Sequence, residues 1–474
     1  MALPDITVTT PDGALGLSAA SIEGLHAKVG VSASGTANSV YSLGDLATAK
    51  ATLGSGPLLE DVAFQIATAG ACLAVPVAAS NPGVVGAILR TGTSPSPGLG
   101  TTGTPRDTYD VIAKIVAGGT VGNATFQISF DGGATFSDVI ATAASLATFA
   151  ASTGLTLTFV AGTYVAGDTY SFTTTAPTYS SADLNAALDA LLADARDVSF
   201  VHVVGTVGGA DDAAKITNFV ALCTAVATKM ATAEDAKRWQ FTILEAPVVA
   251  EGAWAASATW AAFASTRVSP ALGRVTIQSQ VSGRQTTRSL AVSYASRLSI
   301  IPPHEHPGRT ARGPLPGIVS MSRDERATPN GDVARFTTSR TFAGVPGFYL
   351  TAGKMAAGAG SDFAEVQARR VIDKACRLVN GALFVFLNES LRVNREDGTI
   401  FEADARNVES YVDAIVRAEL VNDGNASDLQ VVVNRATNMV STKRLDVAVR
   451  VIPKGYASFI AADVGFLNPA LQVV

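Results

Sequence analysis

The chain has 474 residues, of which 47% are hydrophobic and 16% charged, and this length predicts about two to four domains rather than one core. The charged fraction is below the ~25% usual for soluble domains, either because an assembly covers much of the surface or because an Ala-rich fold exposes many small Thr and Ser residues. The formal net charge of −5 argues against a nucleic-acid-binding protein, which needs a basic face to displace counterions from phosphate.

Disulfide and membrane-anchored classes are also disfavoured. The three cysteines, Cys72, Cys223 and Cys376, are widely spaced and sit in apolar contexts, so we expect buried, reduced thiols. The N-terminus has no basic region and no apolar signal core, and the most apolar run, Ala69 to Ala79, is far shorter than the ~20 residues of a membrane span. The sequence therefore predicts a protein made and folded in a cytoplasm, without a membrane segment.

The first 90 residues read as an extended segment followed by a βα-like unit. Ile6 to Thr10 is strand-like, Leu43 to Leu53 and Pro57 to Ala69 have helical patterns, and Gly70 to Ala79 contains a buried strand. Residues 91–104 are rich in Pro, Gly, Ser and Thr, as a linker would be.

Strict alternation of apolar and polar residues follows in residues 105–178. Val111, Ala113 and Ile115 share one face of a strand, and turns are expected at Gly118-Gly119 and Asp131-Gly132-Gly133. This pattern predicts antiparallel hairpins that form a small β-sandwich inserted into a larger fold.

From Ser180 the apolar period becomes helical and alternates with strands. A helix is expected to begin near Ser181, and strands fit Val198 to Val204, Trp239 to Leu244 and Arg274 to Val281. Strands that alternate with helices predict a mostly parallel sheet covered on both faces.

The stretch from Gly331 to Val379 is the most informative part of the chain. It predicts a strand at Val333 to Thr341, a Gly/Pro corner, and a helix from Ser361 to Asn380 capped by Ser361 or Asp362. Beyond it we expect a buried strand at Leu383 to Leu387, a helix at Ala403 to Leu420, and strands at Leu445 to Ile452 and Tyr456 to Ile460.

The succession RF, SRTF, GFYLTAGKMA, SDF and RRVIDKA between Arg335 and Ala375 resembles the C-terminal half of contractile-tail sheath proteins. The resemblance implies an α/β and α+β multidomain fold. Its expected parts are an N-terminal arm (1–20), a sheath core domain (21–90 with 302–465), an inserted antiparallel β-sandwich (91–178), a subtilisin-like α/β middle domain (179–301) and a C-terminal arm (466–474).

The resemblance also implies a mechanical function. Such a subunit polymerises helically around the tail tube, in stacked and by resemblance hexameric rings, and contracts to drive the tube through the target cell envelope. Its partners would be copies of itself, the tail tube protein, and the baseplate and sheath-terminator proteins, with no direct nucleic-acid or membrane contact. We expect a structural protein, not an enzyme, with no cofactor or metal, in a virion tail assembled in the host bacterial cytoplasm. A phage, a bacteriocin and another injection system all stay open.

The resemblance further implies that subunits are linked by strand exchange through their terminal arms. The apolar residues of these arms are Ile6, Val8, Leu471, Val473 and Val474. Strand donation to a neighbour's sheet would complete backbone hydrogen bonds, whereas the alternative is that the termini pair within their own domain.

The resemblance also implies that a charged helix of the C-terminal part faces the tube. On the helix from Ser361 to Asn380 the basic residues are Arg369, Arg370, Lys374 and Arg377, and a second candidate is the helix that carries Arg406 and Arg417. The acidic-to-basic order of the first helix also suits the helix dipole of a simple solvated helix, and that alternative stays open.

Two other function classes were weighed. A hydrolase on the subtilisin-like domain lacks a G-x-S-x-G motif, and His202 lies in an apolar run that predicts a core histidine. His304 and His306 could place two imidazoles on one side of a metal, but flanking prolines favour a solvated loop. The alternative function is a secreted or surface β-rich adhesin, which the absence of a signal peptide counts against.

Overall fold

The computed structural model describes residues 22–92, 96–358 and 360–466. The chain divides into two units, residues 1–384 and 385–474. The arm residues Ile6, Val8, Leu471, Val473 and Val474 lie outside the described residues, so strand exchange through them stays a prediction.

The first segment of unit 1 follows the predicted order closely. Its elements are β1 (His26–Gly30), β2 (Tyr41–Leu43), α1 (Leu46–Leu53), α2 (Pro57–Ala69), β3 (Cys72–Pro76) and β4 (Leu89–Thr91). Asp45 caps α1 by accepting from the Thr48 amide at 2.8 Å, and Pro57 begins α2, where its missing N–H costs nothing.

Residues 96–178 form antiparallel sheets around a core of their own. The elements are β5 (Leu99–Gly103), β6 (Asp110–Ala117), β7 (Gly119–Thr120), β8 (Thr125–Ser129), β9 (Ile140–Ala141), α3 (Ala150–Thr153), β10 (Leu155–Phe159), β11 (Thr163–Tyr164) and β12 (Thr169–Thr173). A five-stranded sheet in the order β4-β12-β6-β8-β9 shares this core with the β5–β10 pair. The antiparallel module predicted from the alternating pattern, called the insert below, is therefore present.

The following segment alternates helices and strands. It comprises α4 (Ser181–Ala193), β13 (Phe200–Val203), α5 (Asp212–Asp235), β14 (Phe241–Glu245), α6 (Ala253–Ala256), α7 (Ala258–Ala262), β15 (Val268–Ala271), β16 (Arg274–Gln278), β17 (Gln285–Ser289) and α8 (Ala291–Ile300). A capping box between Ser180 and Asp183 starts α4, close to the predicted position.

The remaining elements of unit 1 lead to the longest helix of its C-terminal part. They are a 3-10 turn (Thr310–Arg312), β18 (Ile318–Met321), β19 (Ser339–Phe342), β20 (Val345–Leu350) and α9 (Val366–Leu383). Unit 2 contains α10 (Glu402–Arg417), a π-helical turn (Ala418–Asn422), β21 (Asp428–Val433), α11 (Met439–Thr442) and β22 (Val447–Ile452), and β21 pairs with β22 as a hairpin.

One six-stranded sheet organises unit 1, in the order β15-β14-β13-β1-β3-β2, parallel except for β2. Its strands are buried on both faces: Val201 and Val203 pack into a core with α4 and α5, while Phe200 and Ile243 pack into a core with α8. The predicted parallel, doubly covered sheet is confirmed.

The sheet corrects the predicted partition of the chain. Strands from residues 26–76 and from residues 200–271 belong to the same sheet, so segments 21–90 and 179–301 share that sheet rather than each having a sheet of its own. The unit boundary after Phe384 also falls inside the predicted 302–465 segment. Strand β16 leaves the parallel sheet and pairs antiparallel with β17 and β18, because the short link after β15 cannot form a parallel crossover.

Two predictions near α9 were wrong. The helix begins at Val366, not at Ser361, because the residues before it pair with residues 353–355 as a short bridge: the Val366 amide donates to the Gly353 carbonyl at 2.8 Å. The expected buried strand at Leu383 to Leu387 is the end of α9 and a 3-10 turn in which Phe384 is 72% exposed. A short apolar run does not distinguish a buried strand from such a turn.

Helix α5 has the length and apolar composition of a membrane span. Phe219, Leu222 and Met230 lie on its buried face in the core of unit 1. Core helices pass the same composition test, and the packing accounts for the apolar character of this one. Cys72 and Cys223 are buried free thiols as expected, while Cys376 is half-buried.

Gly353 occupies a position with no space for a side chain. A Cβ there would lie 2.2 Å from Val366 Cγ1 and 2.9 Å from the Tyr294 hydroxyl. We expect Gly353→Ala to lower the free energy of unfolding by about 1–3 kcal/mol or more, as overpacking does. Gly381→Ala is the control: a Cβ on this exposed residue of α9 meets nothing within 4 Å, so it should raise stability by about 0.5–1 kcal/mol. Urea unfolding of both variants checks the pair, and equal effects would contradict the packing argument.

Candidate functional site

The four basic residues expected to face a tube lie on α9, and most of their surface is hidden inside unit 1. Arg369 and Arg370 are 5% and 3% exposed, Lys374 is buried and Arg377 is half-buried. The amphipathic pattern of α9 was interpreted as a charged outer face, whereas its charged residues point into the protein.

Arg370 closes the end of helix α8. Its guanidinium donates to the carbonyls of Leu298 at 2.9 Å and Ile301 at 3.0 Å, and to the backbone carbonyl of Glu23 at 3.1 Å. The last carbonyls of a helix have no partner within it and carry partial negative charge, so a buried cation suits them. Burial lowers the pKa of Arg370 to about 10, and the hydrogen bonds hold the charge in place.

Arg369 and Arg377 belong to ion pairs that tie α9 to neighbouring elements. Arg369 Nε lies 3.0 Å from Asp373 Oδ1, and Arg267 reaches the same carboxylate at 2.7 Å. Arg377 Nε lies 3.0 Å from Asp197 Oδ2. Arg369, Arg370 and Arg377 are therefore held by contacts within unit 1, which gives them a structural role, and the tube contact expected of the α9 residues stays a prediction.

A second charged cluster lies within the six-stranded sheet. Lys28 on β1 and His202 on β13 are opposite one another in register, with Glu245 on β14 and Asp61 on α2 completing the group. Lys28 and His202 have no exposed surface, and Asp61 and Glu245 are also buried. We call these four residues the sheet tetrad.

Two contacts of the sheet tetrad meet at Nδ1 of His202. Lys28 can only donate, so its 3.3 Å contact with Nδ1 favours the tautomer with the ring proton on Nε2, whereas Asp61 Oδ2, also 3.3 Å from Nδ1, favours a proton on Nδ1. Nε2 lies 3.2 Å from Glu245 Oε1, although outside full hydrogen-bond geometry. Burial and the Lys28 charge lower the pKa of His202 to about 3, so the imidazole is neutral.

This arrangement does not suit a metal ion or a hydrolytic base. Ligand atoms of Asp61, His202 and Glu245 lie within 4.8 Å of one another. However, Asp61 lies beside Nδ1 and Glu245 beside Nε2, and these ring nitrogens point away from each other, while the Lys28 ammonium already occupies the Asp61 side. Complete burial gives a substrate no access to His202, which is the core histidine that the sequence predicted.

The loop containing His304 and His306 is more buried than expected. Glu305 between them is buried and accepts from Arg312 at 2.6 Å and Arg309 at 3.1 Å. Burial lowers the pKa of His306. The predicted solvated loop is therefore wrong for this segment, which is an ion-paired corner of unit 1.

The motif behind the sequence resemblance is a packing motif. Phe336 stacks on Trp260 with ring centroids 4.7 Å apart, and Arg335 donates to the carbonyls of Trp260 and Phe263, both at 2.8 Å. Arg335 adopts φ +66°, an uncommon conformation that these hydrogen bonds stabilise. The recognisable residues thus hold the core together.

In unit 2 the charges of α10 connect that helix to the β21–β22 hairpin. Arg435 pairs with Glu402 and Glu409, at 2.7 and 2.6 Å, and Arg417 pairs with Asp428 at 2.6 Å. Hydrogen bonds from Arg435 and Arg406 lower the pKa of Glu402 to about 2.

The last part of the described chain exposes large apolar side chains. After β22, residues 453–466 have no regular structure, and four large apolar side chains are at least 83% exposed: Phe459, Ile460, Val464 and Phe466. A strand was predicted for Tyr456 to Ile460 and is not formed within the described residues. We call residues 453–466 the apolar tail. Such an exposed apolar run is typical of an interaction segment.

Sequence reasoning missed the sheet tetrad, although a signal was available. Lys28 stands between the apolar residues Ala27 and Val29 of β1, and Asp61 is followed by the apolar run Val62 to Phe64 of α2. A charge at a position that periodicity assigns to the core requires a buried partner. What the sequence could not indicate is which charges meet, since β1 and β13 are far apart in the chain.

Lys28→Met should leave the Asp61 carboxylate buried without its cation. We expect a loss of about 3–5 kcal/mol in the free energy of unfolding, the usual cost of breaking a buried pair. Lys28→Met/Asp61→Asn should recover part of that loss, and Lys114→Met on an exposed strand position should change stability by less than about 0.5 kcal/mol. Urea unfolding checks the series; a double variant no more stable than Lys28→Met would contradict the pairing.

The ion pairs of unit 2 predict that its stability falls in acid. A carboxylate whose folded pKa is depressed contributes stability above its unfolded pKa and loses it as pH falls through the folded value, here from roughly pH 4.5 to about 2 for Glu402. In Arg435→Gln the Glu402 pKa, followed by carboxyl NMR, should rise toward ~4.3. Arg395→Gln, at another exposed site, should leave it near 2, and an unchanged pKa in both variants would exclude the pair.

Comparison with known proteins places this geometry in context. The family model described as DUF2586, N-terminal domain, matches residues 3–354, and the model for the DUF2586 C-terminal domain matches residues 362–471. No curated protein matches the sequence.

Among solved structures, the contracted helical sheath of the anti-feeding prophage is 12% identical with a TM-score of 0.52, covering 98% of this chain and 99% of that chain. The contracted PVC sheath of an extracellular contractile injection system is 10% identical (TM-score 0.49, 98% of each chain). The sheath tail protein of Desulfitobacterium hafniense is 14% identical (TM-score 0.44, 96% of this chain and 100% of that chain).

The structural match to the anti-feeding prophage sheath covers nearly the whole of both chains, so the predicted resemblance to sheath proteins is confirmed at the level of the fold. The two family models together span most of the sequence, and the chain belongs to the DUF2586 family.

Proposed function

We propose that this protein is the structural subunit of a contractile tail sheath, which polymerises helically around a tail tube and contracts to drive the tube through a target envelope. The apolar tail is the observation that carries the proposal. A monomer in water gains nothing by exposing Phe459, Ile460, Val464 and Phe466, whereas a polymer can bury them between copies.

The β21–β22 hairpin offers the complementary surface. It is a two-stranded sheet, and within residues 385–466 neither strand has a second strand beside it. An outer edge of this kind can accept an extended segment from a neighbour. In the proposed assembly, arms carrying Ile6, Val8, Leu471, Val473 and Val474 add strands to hairpins of adjacent copies.

A contact in which a tail of one copy binds a different surface of the next is heterologous. Heterologous contacts that do not close into a ring generate a helix. Contraction then requires rigid subunits whose mutual contacts have two arrangements, and the ion-paired interior of unit 1 supplies that rigidity. No nucleotide or metal is needed, because the energy is stored between subunits.

The contact with the tube is proposed for α10 rather than α9. Arg406 on α10 is exposed and its i,i+4 partner Glu402 is half-exposed, so this helix presents charge outward, unlike α9. Baseplate and terminator proteins would contact the ends of the polymer, and the assembly would form part of a tail. The subunit thus acts as a mechanical protein rather than an enzyme.

Removal of the arm should separate folding from assembly. We expect the wild type to form striated cylinders or cog-like rings in negative-stain micrographs. Deletion of Leu471 to Val474, or Phe459→Asp with Phe466→Asp, should give folded monomers with an unchanged melting temperature.

Phe136→Asp is the matched control, since Phe136 is an exposed aromatic residue of the insert, and it should still assemble. Normal cylinders from the tail variants would reject the proposal. A wild type that stays monomeric at every concentration would favour the adhesin alternative.

A further inference from the structure

A cavity of about 850 Å³ lies in unit 1 where the insert meets the rest of the unit. Its wall comes from three parts of the chain: residues 54–60, strand positions and turns of the insert, and the β16–β17 hairpin. The volume falls within the ~300–1,000 Å³ typical of small-molecule sites. Nothing in the assembly proposed above makes use of it.

The walls of the cavity are fixed relative to one another. Arg288 on β17 and Asp107 of the insert form a buried bidentate ion pair, with Nη1 to Oδ1 at 3.0 Å. Asp131 of the insert accepts from the Gln285 amide at 3.3 Å. Arg106 of the insert donates to the Ala151 carbonyl at 2.7 Å and to the Ser55 hydroxyl at 3.3 Å. The second bond connects the insert to residues 54–60, which form the third part of the wall. A cavity held in this way needs little reorganisation to bind a ligand.

The cavity is lined by four carboxylates, Glu60, Asp107, Asp110 and Asp131, and by two guanidinium groups, Arg284 and Arg288, so its wall is weakly acidic. Asp107 forms an ion pair with Arg288, and the Asp131 carboxylate accepts hydrogen bonds from Ser129, Thr135 and Gln285. Burial raises the pKa of Glu60. Asp110 and Arg284 are the other charged residues of the wall. The acidic wall repels a phosphate, and the Asp107 and Asp131 oxygens already accept hydrogen bonds from this chain, which leaves them poorly placed to bind a metal ion.

The rest of the lining combines hydroxyl, amide and aromatic groups. Tyr109 packs edge to face on Phe130 with centroids 5.8 Å apart, and Arg284 lies 4.7 Å above the Phe130 ring. The other groups at the wall include Thr108, Ser152, Ser282, Gln285, Thr286 and Thr287. Hydroxyl and amide groups both donate and accept, which matches a ligand that does the same.

We propose that this cavity binds a neutral sugar of one or two rings. The ring hydroxyls would exchange hydrogen bonds with Asp110, Arg284 and Gln285, and the apolar C–H face would lie against Tyr109. A purely apolar ligand would leave the charged wall without partners, and the excess of carboxylates would repel an anion. The proposal is independent of polymerisation, since every wall residue belongs to one copy.

Saturation-transfer NMR on the full-length protein tests the site, with maltose, cellobiose and N,N′-diacetylchitobiose as probes. We expect transfer to at least one disaccharide and about a tenfold weaker affinity in Arg284→Ala, the effect of losing a charged hydrogen bond. Thr286→Trp should abolish binding by filling the cavity from a half-buried strand position, and Ser282→Trp at the rim serves if that variant unfolds.

Arg395→Ala, an exposed arginine of unit 2, is the matched control and should bind as the wild type does. Three results would overturn the proposal: no transfer to any of the disaccharides, transfer that persists in a folded tryptophan variant, or displacement of the sugar by millimolar inorganic phosphate or Ca²⁺. Melting curves by circular dichroism establish that each variant is folded.

Discussion

Buried charge that must find a partner is the constraint on which this structure depends. The guanidinium of Arg370 donates hydrogen bonds to the carbonyls at the end of α8. It therefore fixes how α9 lies against α8, and α9 in turn presses Val366 onto Gly353. An apolar side chain at position 370 would leave those carbonyls without the donors that Arg370 supplies.

The same principle operates in the sheet tetrad, where it joins strands instead of helices. Lys28 and His202 lie on neighbouring strands, and Asp61 reaches them from the helix above. Apolar packing alone tolerates small shifts of strand register, whereas a lysine that must reach one imidazole and one carboxylate does not. The tetrad thus specifies the pairing of β1 with β13, in addition to any stability it contributes.

Local patterns were sufficient to predict α1, α2 and β3, because their apolar periodicity and capping residues are contained in a few neighbouring positions. They failed where the decisive contact is distant. The pairing of β1 with β13 joins segments on opposite sides of the insert, and the start of α9 depends on a bridge to residues 353–355. The arginines of α9 were misplaced for a related reason: a charged stripe predicts one face of a helix but not whether water or carbonyl oxygens cover it. The interior fold was thus partly predictable and the interaction surfaces much less so.

The shared sheet also dictates the order in which the chain can mature on a ribosome. His202, one partner of Lys28, lies 174 positions later in the sequence. The insert between them contains a complete core and can fold as soon as it leaves the ribosome. Strands β1 and β3 can pair with each other before the insert is made, but the edge of β1 that pairs with β13 must remain open throughout synthesis of the insert. This interval is when the nascent polypeptide is most prone to aggregation and most in need of a chaperone.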